Sequence, residues 1–340
     1  MEQINLKRLA KELKLSVSTV SRALSDSHEI SQGTKLKVLS LAEKLNYHPN
    51  PYARSLRKRN SNTVAIIIPE IENNFFALVI NGIEKIAQQN GYHVLIYITH
   101  ENIRKEIEFV SHLLSGRVDG VIMSLSGEPT DVDHIDKLIE NNVPVVFFDR
   151  ISEQTQTLKI TTNDSESGYL ASKHLIDRGC KKIGYLGYSN SLSIGIHRLN
   201  GYLEALRDNN IPINDKYILN CTSDHEESYK KIKNLLESDN RPDSIFASVE
   251  QLALITYEVC ADLNLKIPGD VKVISFSNSK MASLLNPSLT AIVQPAFNIG
   301  MAAAKELFEV LNDKNSSLEN KTVQLSSSLI ERKSTAVNEK

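Results

Sequence analysis

The 340-residue sequence has the composition of a globular protein and is too long for one ordinary domain. It is 41% hydrophobic and 24% charged, and its first residues contain no apolar block long enough for a signal peptide or a membrane span. Cys180, Cys221 and Cys260 lack the spacing of a disulfide framework or a zinc site. We therefore expect a cytoplasmic protein of two or three domains with no metal, no cofactor and no membrane partner.

Charge is distributed unevenly along the chain. Residues 1–60 hold 12 Lys and Arg against 5 Asp and Glu, a net charge of +7, whereas the remainder holds 27 against 36, a net charge of −9. A basic segment of this kind fits contact with a polyanion, although it is more often just a solvated surface. The charge therefore needs the support of a motif.

Three short helices are predicted within residues 1–48. Asn5, Ser16 and Ser31 stand at expected N-cap positions, each ahead of apolar residues at helical spacing. The second helix is expected over residues 17–24, after a turn of two or three residues. The third helix is expected to pack on the first two through Leu36, Leu39, Ala42 and Leu45. This arrangement is a helix-turn-helix unit.

The second helix of such a unit enters the major groove of DNA with its N-terminal end, which carries free backbone N–H groups. Arg22 can donate a bidentate pair of hydrogen bonds to guanine, Ser18 can bond a base edge, and Val17 can contact a thymine methyl group. Thr19 is expected to bond a phosphate. The alternative is that these side chains merely cover the solvated face of a small helical bundle.

Residues 49–60 have the pattern of a short fourth helix in a hinge. His48 precedes a proline and so ends the third helix, while Asn50 and Pro51 fit the N-cap and first position of a new one. A helix of about two turns folds only against a partner. Leu56, followed by three basic residues, fits a minor-groove wedge flanked by phosphate contacts. A disordered basic linker is the alternative.

The segments SVSTVSRALS, LKVLSLAEKLNYHPN and PYARSLR resemble the DNA-binding head and hinge helix of the LacI/GalR family of transcription regulators. The resemblance implies a homodimer, more often a repressor than an activator, whose paired hinge helices insert a leucine at the centre of a near-palindromic operator. That leucine is Leu56 here. The residues expected to contact DNA are Val17, Ser18, Thr19, Arg22, Asn50, Ala53 and Leu56.

From residue 61 to 340, short apolar runs alternate with helical segments, which predicts an α/β body of two doubly wound lobes. Buried strands are predicted at TVAIIIP, HVLIYIT, DGVIMS and VPVVFFD, then at KKIGYLG, DSIFAS and DVKVISFS. The first lobe is expected over about 61–161 and 292–320, and the second over about 162–291 and 321–340. The resemblance implies a type I periplasmic-binding-protein-like fold, in which the late strand TAIVQP and the next helix cross back to the first lobe.

Two such lobes bind a ligand in the cleft that faces the carboxyl ends of their strands. The resemblance implies an aromatic contact from Phe75 or Phe76, a strand-end acid at Asp149, and in Arg198 a group that holds a hydroxyl, carboxylate or phosphate. Core packing of the phenylalanines and a surface ion pair of Arg198 are the alternatives. The residues expected to bind an effector are Phe75, Phe76, Asp149, Arg198, Glu250, Ser277 and Asn278.

Two departures from the family pattern bear on the ligand. Val249 and Ser277 replace an amide and a carboxylate that commonly hold sugar hydroxyls in the family, and each lost hydrogen bond forfeits on the order of 1 kcal/mol. Glu250 and Asn278 can restore part of this grip. The effector is then a sugar, a phosphorylated sugar or a related metabolite, or a partner protein controls the regulator instead.

Other classes of protein fit the sequence less well. It contains no GxSxG, HExxH, Walker or GxGxxG motif, and its nine histidines have no ligand spacing, so we expect no enzyme. A solute-binding transport protein would need an export signal in place of the basic head. The segment after Arg332 is polar and lacks leucine heptads, so we expect a dimer and not a tetramer.

Replacement of Leu56 by alanine tests the hinge assignment. A ligand that changes the angle between the lobes changes the spacing of the two hinges in a dimer, and so changes whether this leucine enters the groove. We expect Leu56→Ala to keep the fold and to weaken operator binding, measured by fluorescence anisotropy at fixed salt. Unchanged affinity would contradict the assignment.

Overall fold

The computed structural model describes residues 5–47, 61–127, 132–188, 192–313 and 316–337. The chain divides at residue 61 into two units, a head and a body. The predicted hinge residues Asn50, Ala53 and Leu56 lie outside the described residues. No helix in the described part of the chain has both the length and the apolar character to span a membrane.

The head contains the three predicted helices, α1 (Leu6–Leu13), α2 (Val17–Leu24) and α3 (Gln32–Lys44). Each is capped as expected, because Asn5, Ser16 and Ser31 accept a hydrogen bond from a backbone N–H three residues later. A small core holds the helices together and consists of Leu9, Ala10, Val20, Ala23, Val38 and Ala42. The predicted helix-turn-helix unit is thus confirmed.

The packing face of α3 differs from the prediction. Leu36 and Leu39 are 66% and 50% exposed, whereas Val38 and Ala42 are buried. These two lie one helical turn apart and share a face, and the buried Lys35 on that face places its Nζ 2.6 Å from the Asp26 carboxylate. The expectation was confirmed for Ala42 and was wrong for Leu36 and Leu39, because α3 offers two apolar stripes and only its contacts with α1 and α2 select between them.

The body alternates strands and helices as predicted. Its described strands are β1 (Thr63–Ile68), β2 (His93–Ile98), β3 (Gly120–Met123), β4 (Val145–Phe148), β5 (Leu158–Thr162), β6 (Ile183–Tyr188), β7 (Ile218–Cys221), β8 (Ser244–Ala247), β9 (Lys272–Phe276), β10 (Thr290–Val293), β11 (Thr322–Leu325) and β12 (Ser328–Ile330). Its described α-helices are α4 (Asn74–Gln89), α5 (Ile103–Leu113), α6 (Asp133–Glu140), α7 (Asp164–Asp177), α8 (Ser193–Asp208), α9 (His225–Glu237), α10 (Glu250–Asp262) and α11 (Ala296–Asn312). Short 3-10 helices cover Asp215–Tyr217, Lys280–Ser283 and Lys333–Thr335.

Two six-stranded sheets form the two lobes. The first has the order β11-β5-β4-β3-β1-β2 and is parallel, with α4 and α11 on one face and α5 and α6 on the other. The second has the order β12-β10-β9-β8-β6-β7 and is parallel except for β12, with α9 and α10 on one face and α7 and α8 on the other. Buried strands covered on both faces explain the continuous apolar runs in the sequence.

The late elements are shared between the lobes differently from the prediction. Strand β10 was expected to return to the first lobe but pairs with β9 in the second sheet. Strand β11 was expected in the second lobe but pairs with β5 in the first. Helix α11 does cross back and packs on α4. In the described residues the chain therefore passes between the lobes after β5, after β10 and after β11. The prediction missed two of these assignments because a strand pairs with segments that are distant in sequence.

Strand β2 is an edge strand and not the buried strand that its composition predicted. It lies at the end of the first sheet and pairs with β1 alone. Leu95 and Ile96 are consequently 41% and 43% exposed. The apolar run HVLIYIT carries no signal of this position, because an edge strand that is covered in an assembly has the same composition as a buried one.

Glycines let two pairs of helices pack closely. A Cβ atom at Gly82 of α4 would lie 2.2 Å from the carbonyl oxygen of Phe297, and one at Gly300 of α11 would lie 2.1 Å from that of Val79. On the other lobe, a Cβ atom at Gly201 of α8 would lie 2.0 Å from a carbonyl oxygen of α7. The contact between α7 and α8 at Gly201 matters for the cleft, because these two helices carry Asp164 and Arg198.

Substitution of Gly300 tests this close packing. We expect Gly300→Ala to lower the free energy of unfolding by about 2 kcal/mol or more, because α4 and α11 must separate to admit the methyl group. The matched control is Gly269→Ala, where the new Cβ would meet its nearest neighbour at 3.4 Å. Urea unfolding of both variants measures the effect, and equal stabilities would refute the packing argument.

Candidate functional site

Helix α2 presents the predicted DNA-contacting side chains on the outer face of the head. Val17 is 41% exposed, and Ser18 and Arg22 are also exposed, whereas Val20 and Ala23 turn inward to the core. The Ser16 hydroxyl lies 2.7 Å from that of Ser18 and 2.8 Å from that of Thr19. The first turn of α2 thus presents hydroxyl and methyl groups at the surface of the head.

The Arg22 guanidinium is paired with an acid in the head. Its Nη1 lies 2.9 Å from a Glu29 carboxylate oxygen, and both side chains are more than half exposed. Exposed ion pairs of this kind contribute between 0 and about 1 kcal/mol. A guanine edge or a phosphate can therefore replace Glu29 at little cost, and the pair holds the guanidinium over the outer face of α2.

A cleft of about 430 Å³ lies between the two lobes of the body. All seven residues predicted to bind an effector line it. Six of them stand at strand ends or helix starts of the two lobes, and Arg198 lies within α8. The seven are Phe75, Phe76, Asp149, Arg198, Glu250, Ser277 and Asn278. The cleft therefore opens at the carboxyl edges of the sheets, as expected for two doubly wound lobes.

The first-lobe wall starts at the N-terminus of α4. Asn73 caps this helix, since its side chain accepts a hydrogen bond from the Phe75 backbone N–H at 3.0 Å. Phe75 and Phe76 are 5% and 2% exposed, and the Phe76 ring packs edge to face on Phe148 at 6.2 Å between centroids. Both phenylalanines belong to the core and also line the cleft, so core packing and a contact with a ligand are compatible for them.

Asp149 and Arg150 follow β4 and are both buried. Asp149 adopts a left-handed backbone conformation with φ of 60°, which aspartate and asparagine tolerate better than other side chains. Burial raises the pKa of Asp149 to about 6, the positive charges of Arg198 and Arg150 oppose this rise, and Asp164 adds to it. The Nη1 of Arg150 donates to both carboxylate oxygens of Glu101, at 2.7 and 2.8 Å.

Arg198 on α8 connects three elements of the second-lobe wall. Its Nε donates to the Asp164 carboxylate at 2.7 Å, and its Nη1 donates to the Ser248 carbonyl oxygen at 2.7 Å. The guanidinium carbon lies 3.7 Å from the centroid of the Phe276 ring. Arg198 is only 3% exposed, so the alternative of a surface ion pair was wrong. A guanidinium held in this way has a defined orientation toward the cleft.

Glu250, Ser277 and Asn278 complete the second-lobe wall. Glu250 is the first residue of α10. Burial raises its pKa, and hydrogen bonds from the Ser277 and Ser279 hydroxyls oppose the rise. The side-chain amide of Asn278 donates a hydrogen bond to the carbonyl oxygen of Gln294 at 2.6 Å. Glu250 thus supplies a carboxylate next to Ser277, the position at which the family pattern has an acidic residue.

Three further residues belong to this site and were not singled out in the sequence. Tyr188 ends β6, and Gln294 directly follows β10, so the rule of searching strand ends would have found both. Gln294 donates to the Thr162 hydroxyl at 3.1 Å and lies 3.5 Å from an Asp149 oxygen. Glu101 carries no comparable signal in the sequence, since only the fold brings it to Arg150. Glu70, which also lines the cleft, stands two residues after β1 and is found by the same strand-end rule.

The arrangement can bind a ligand through carboxylates, guanidinium groups and aromatic rings. The buried thiols are poor nucleophiles, because burial raises the pKa of Cys180 and of Cys221 to about 11. In the described residues, no group of three or more His, Cys, Asp or Glu side chains is arranged to hold a metal ion. The lining of the cleft offers charged, hydrogen-bonding and aromatic contacts to a ligand.

Two protein-family models match the chain. Residues 5–50 match the model described as bacterial regulatory proteins, lacI family. Residues 172–335 match the model described as periplasmic binding protein-like domain. The first model covers the helix-turn-helix head, and the second covers most of the second lobe together with α11 and the C-terminal strands.

Full-length relatives and solved structures extend the comparison. The chain is 32% identical to catabolite control protein A of Priestia megaterium, over 96% of this chain and 98% of that protein. It is 30% identical to the HTH-type transcriptional repressor PurR of Photobacterium profundum, over 97% and 98%. The crystal structure of the Lac repressor dimer bound to operator and the anti-inducer ONPF matches with a TM-score of 0.84 and 22% identity, over 98% and 99%, which concerns the fold alone.

Asp149→Asn tests the electrostatic state of the cleft. A carboxyl with a pKa raised from 3.8 to about 6 on folding stabilises the fold fully below about pH 4, and this contribution is lost as the pH rises through 6. We expect the variant to be more stable than the wild type at pH 7.5, by on the order of 2 kcal/mol, and no more stable at pH 4. Unfolding of the wild type, this variant and the exposed-site control Asp239→Asn across that range measures the difference. A variant that is less stable at pH 7.5 would contradict the expectation.

Proposed function

The chain belongs to the LacI family of transcription regulators, and from that premise we propose that it binds a near-palindromic operator as a homodimer and represses transcription under the control of a small molecule. It is a DNA-binding regulator and not an enzyme. The proposal places the protein in the cytoplasm, because it must reach the operator there.

The observation that carries the proposal is the outward presentation of α2. Arg22 would donate two hydrogen bonds to a guanine after releasing Glu29, and Val17 and Ser18 at the start of the helix would contact neighbouring bases. Thr19 would bond a phosphate. Asn50, Ala53 and Leu56 would contact DNA from the hinge, with Leu56 in the minor groove.

Control by a small molecule is supported by the composition of the cleft walls. Asp149 comes from the first lobe, whereas Arg198 and Glu250 come from the second. A ligand that contacts both lobes binds one interlobe angle better than others, and so shifts the population toward that angle. The proposed ligand contacts are Phe75, Phe76, Asp149, Arg198, Glu250, Ser277 and Asn278.

A homodimer is supported by exposed apolar side chains on both lobes. Leu254 on α10 is 42% exposed, and Met281 and Leu284 at the neighbouring 3-10 helix are 62% and 72% exposed. Leu95 and Ile96 lie on the edge strand β2 of the first lobe. Pairing of these surfaces with a second copy would bury them and bring together two heads, as two symmetric half-sites require.

Operator selection from a random DNA pool tests the proposal. The full-length wild-type protein, the variant Arg22→Ala and the control Lys44→Ala, which loses the same charge outside α2, are compared at fixed salt. We expect the wild type to enrich a near-palindrome with a central pyrimidine–purine step. We expect Arg22→Ala to lose about 1–3 kcal/mol of affinity and to relax specificity at one base of each half-site.

The same selection is repeated with a metabolite mixture to test control. Altered operator affinity with one metabolite fraction supports an effector in the cleft. A palindrome that no fraction affects would shift control to a partner protein. Failure to enrich any sequence, or equal effects of the two substitutions on specificity, would contradict the DNA-reading assignment.

A further inference from the structure

We propose that the effector of this cleft is an organic amine in its protonated form, and that the cleft discriminates against phosphorylated and other anionic metabolites. This inference rests on the proposed function, in which the cleft is the effector site. It narrows the class of effector, which the sequence left open among a sugar, a phosphorylated sugar and a related metabolite.

Acidic side chains outnumber basic ones at the cleft. Among the described residues, its lining contains the carboxylates of Glu70, Glu72, Asp149 and Glu250 and the guanidinium groups of Arg150 and Arg198. An anion entering this space meets an excess of negative charge, whereas a cation is attracted by it. The effect is strong because a cleft walled by protein focuses the field of its charges.

Both arginines of the cleft are already neutralised by acids. Arg150 is bound by Glu101 through two hydrogen bonds of 2.7 and 2.8 Å. Arg198 is bound by Asp164, and this pair is buried on both sides. A phosphate could engage either guanidinium only by displacing a carboxylate that is already well placed. Displacement of Asp164 from its buried pair with Arg198 is strongly unfavourable. Glu101 is 32% exposed but holds Arg150 through two short hydrogen bonds, so a phosphate must compete with a carboxylate at either arginine.

The Asp149 carboxylate, in contrast, has no direct ion-pair partner among the described residues, and the positive charges of Arg198 and Arg150 act on it only from a greater distance. It is 95% buried, since its exposed fraction is 5%, and it lines the cleft. Its one side-chain hydrogen bond among the described residues comes from Gln294 Nε2 at the long distance of 3.5 Å. Within the described ranges, no lysine, arginine or histidine nitrogen lies within 4.0 Å of it. A buried carboxylate of this kind requires a donor, and an ammonium group supplies charge and hydrogen bonds together.

Glu250 supplies a second carboxylate from the other lobe. Asp149 ends a strand of the first sheet and Glu250 starts a helix of the second lobe, so closure of the cleft brings two like charges toward each other. Repulsion between them opposes closure, and a cation between them removes the repulsion. A positively charged ligand therefore favours the closed interlobe angle. An effector must change this angle.

The rest of the lining fits the carbon skeleton of such an amine. Apolar and aromatic side chains contribute much of the wall, among them Phe75, Phe76, Tyr188, Ile194 and Leu285. The buried Nε of Arg150 has no hydrogen-bond partner among the residues that the structure describes, so an acceptor on the ligand, such as a hydroxyl, would also be accommodated. An amine on a ring or chain of hexose size satisfies both requirements.

Two charge series with matched skeletons test the inference. The first is glucosamine, glucose and glucose 6-phosphate, and the second is 2-phenylethylamine, 2-phenylethanol and phenylacetate. Each is added to the full-length protein at pH 7.5 and constant ionic strength, and the melting temperature and ligand affinity are measured. We expect an amine to bind at least tenfold more tightly than its neutral and anionic analogues.

Substitutions identify the carboxylates that are responsible. Glu250→Gln and Asp149→Asn should each weaken amine binding about tenfold or more while leaving the neutral analogue unaffected. Glu226→Gln is the matched control, because Glu226 stands in the first turn of the neighbouring helix α9 and is exposed. This control should bind the amine like the wild type.

Several outcomes would overturn the inference. They are an anion or neutral analogue that binds as tightly as the amine, no stabilisation by either amine, or amine binding that survives both substitutions. Operator binding by the same preparations separates these outcomes from failure of the proposed function. Specific operator binding without an amine effect rejects only the ligand class, whereas absence of specific operator binding rejects the regulator assignment itself.

Discussion

The buried ion pair between Arg198 and Asp164 is the contact on which the geometry of the cleft depends. Asp164 starts α7 immediately after the chain has left the first lobe, and Arg198 extends from α8 to the ends of β8 and β9. Removal of one partner would leave an uncompensated buried charge, at a cost of roughly 3–5 kcal/mol. One side chain thus fixes the elements that form the second-lobe wall, and the close approach of α7 and α8 at Gly201 makes the pair possible.

The segments that pass between the lobes are hydrogen-bonded to one another beside this pair. Gln294, in the passage after β10, donates to the Thr162 hydroxyl at the end of β5. The Ser327 backbone N–H, in the passage after β11, donates to the Asn163 side chain at 2.8 Å. Rotation of one lobe against the other must therefore act on a connected set of strand ends. A ligand at Asp149 lies within hydrogen-bond distance of this set, through Gln294.

Charge divides the molecule into two functional parts. The basic sequence of residues 1–60 favours contact with DNA, whereas the acidic remainder disfavours it. The cleft repeats the acidic character of the body on a smaller scale. Its arginines are engaged by Glu101 and Asp164, and the carboxylates of Glu70, Glu72, Asp149 and Glu250 also line it.

The sequence by itself determined the features that depend on local interactions. Ser16 predicts the start of α2 because a cap acts within three residues, and the apolar runs predict the strands because burial on both faces selects such residues. Strand ends likewise predicted Asp149 and Glu250 at the cleft. Only the tertiary structure decided that β10 and β11 exchange lobes, that Leu36 and Leu39 of α3 face outward, and that Glu101 neutralises Arg150. Such outcomes depend on which distant surface each segment meets, and a short window of sequence contains no information about that partner.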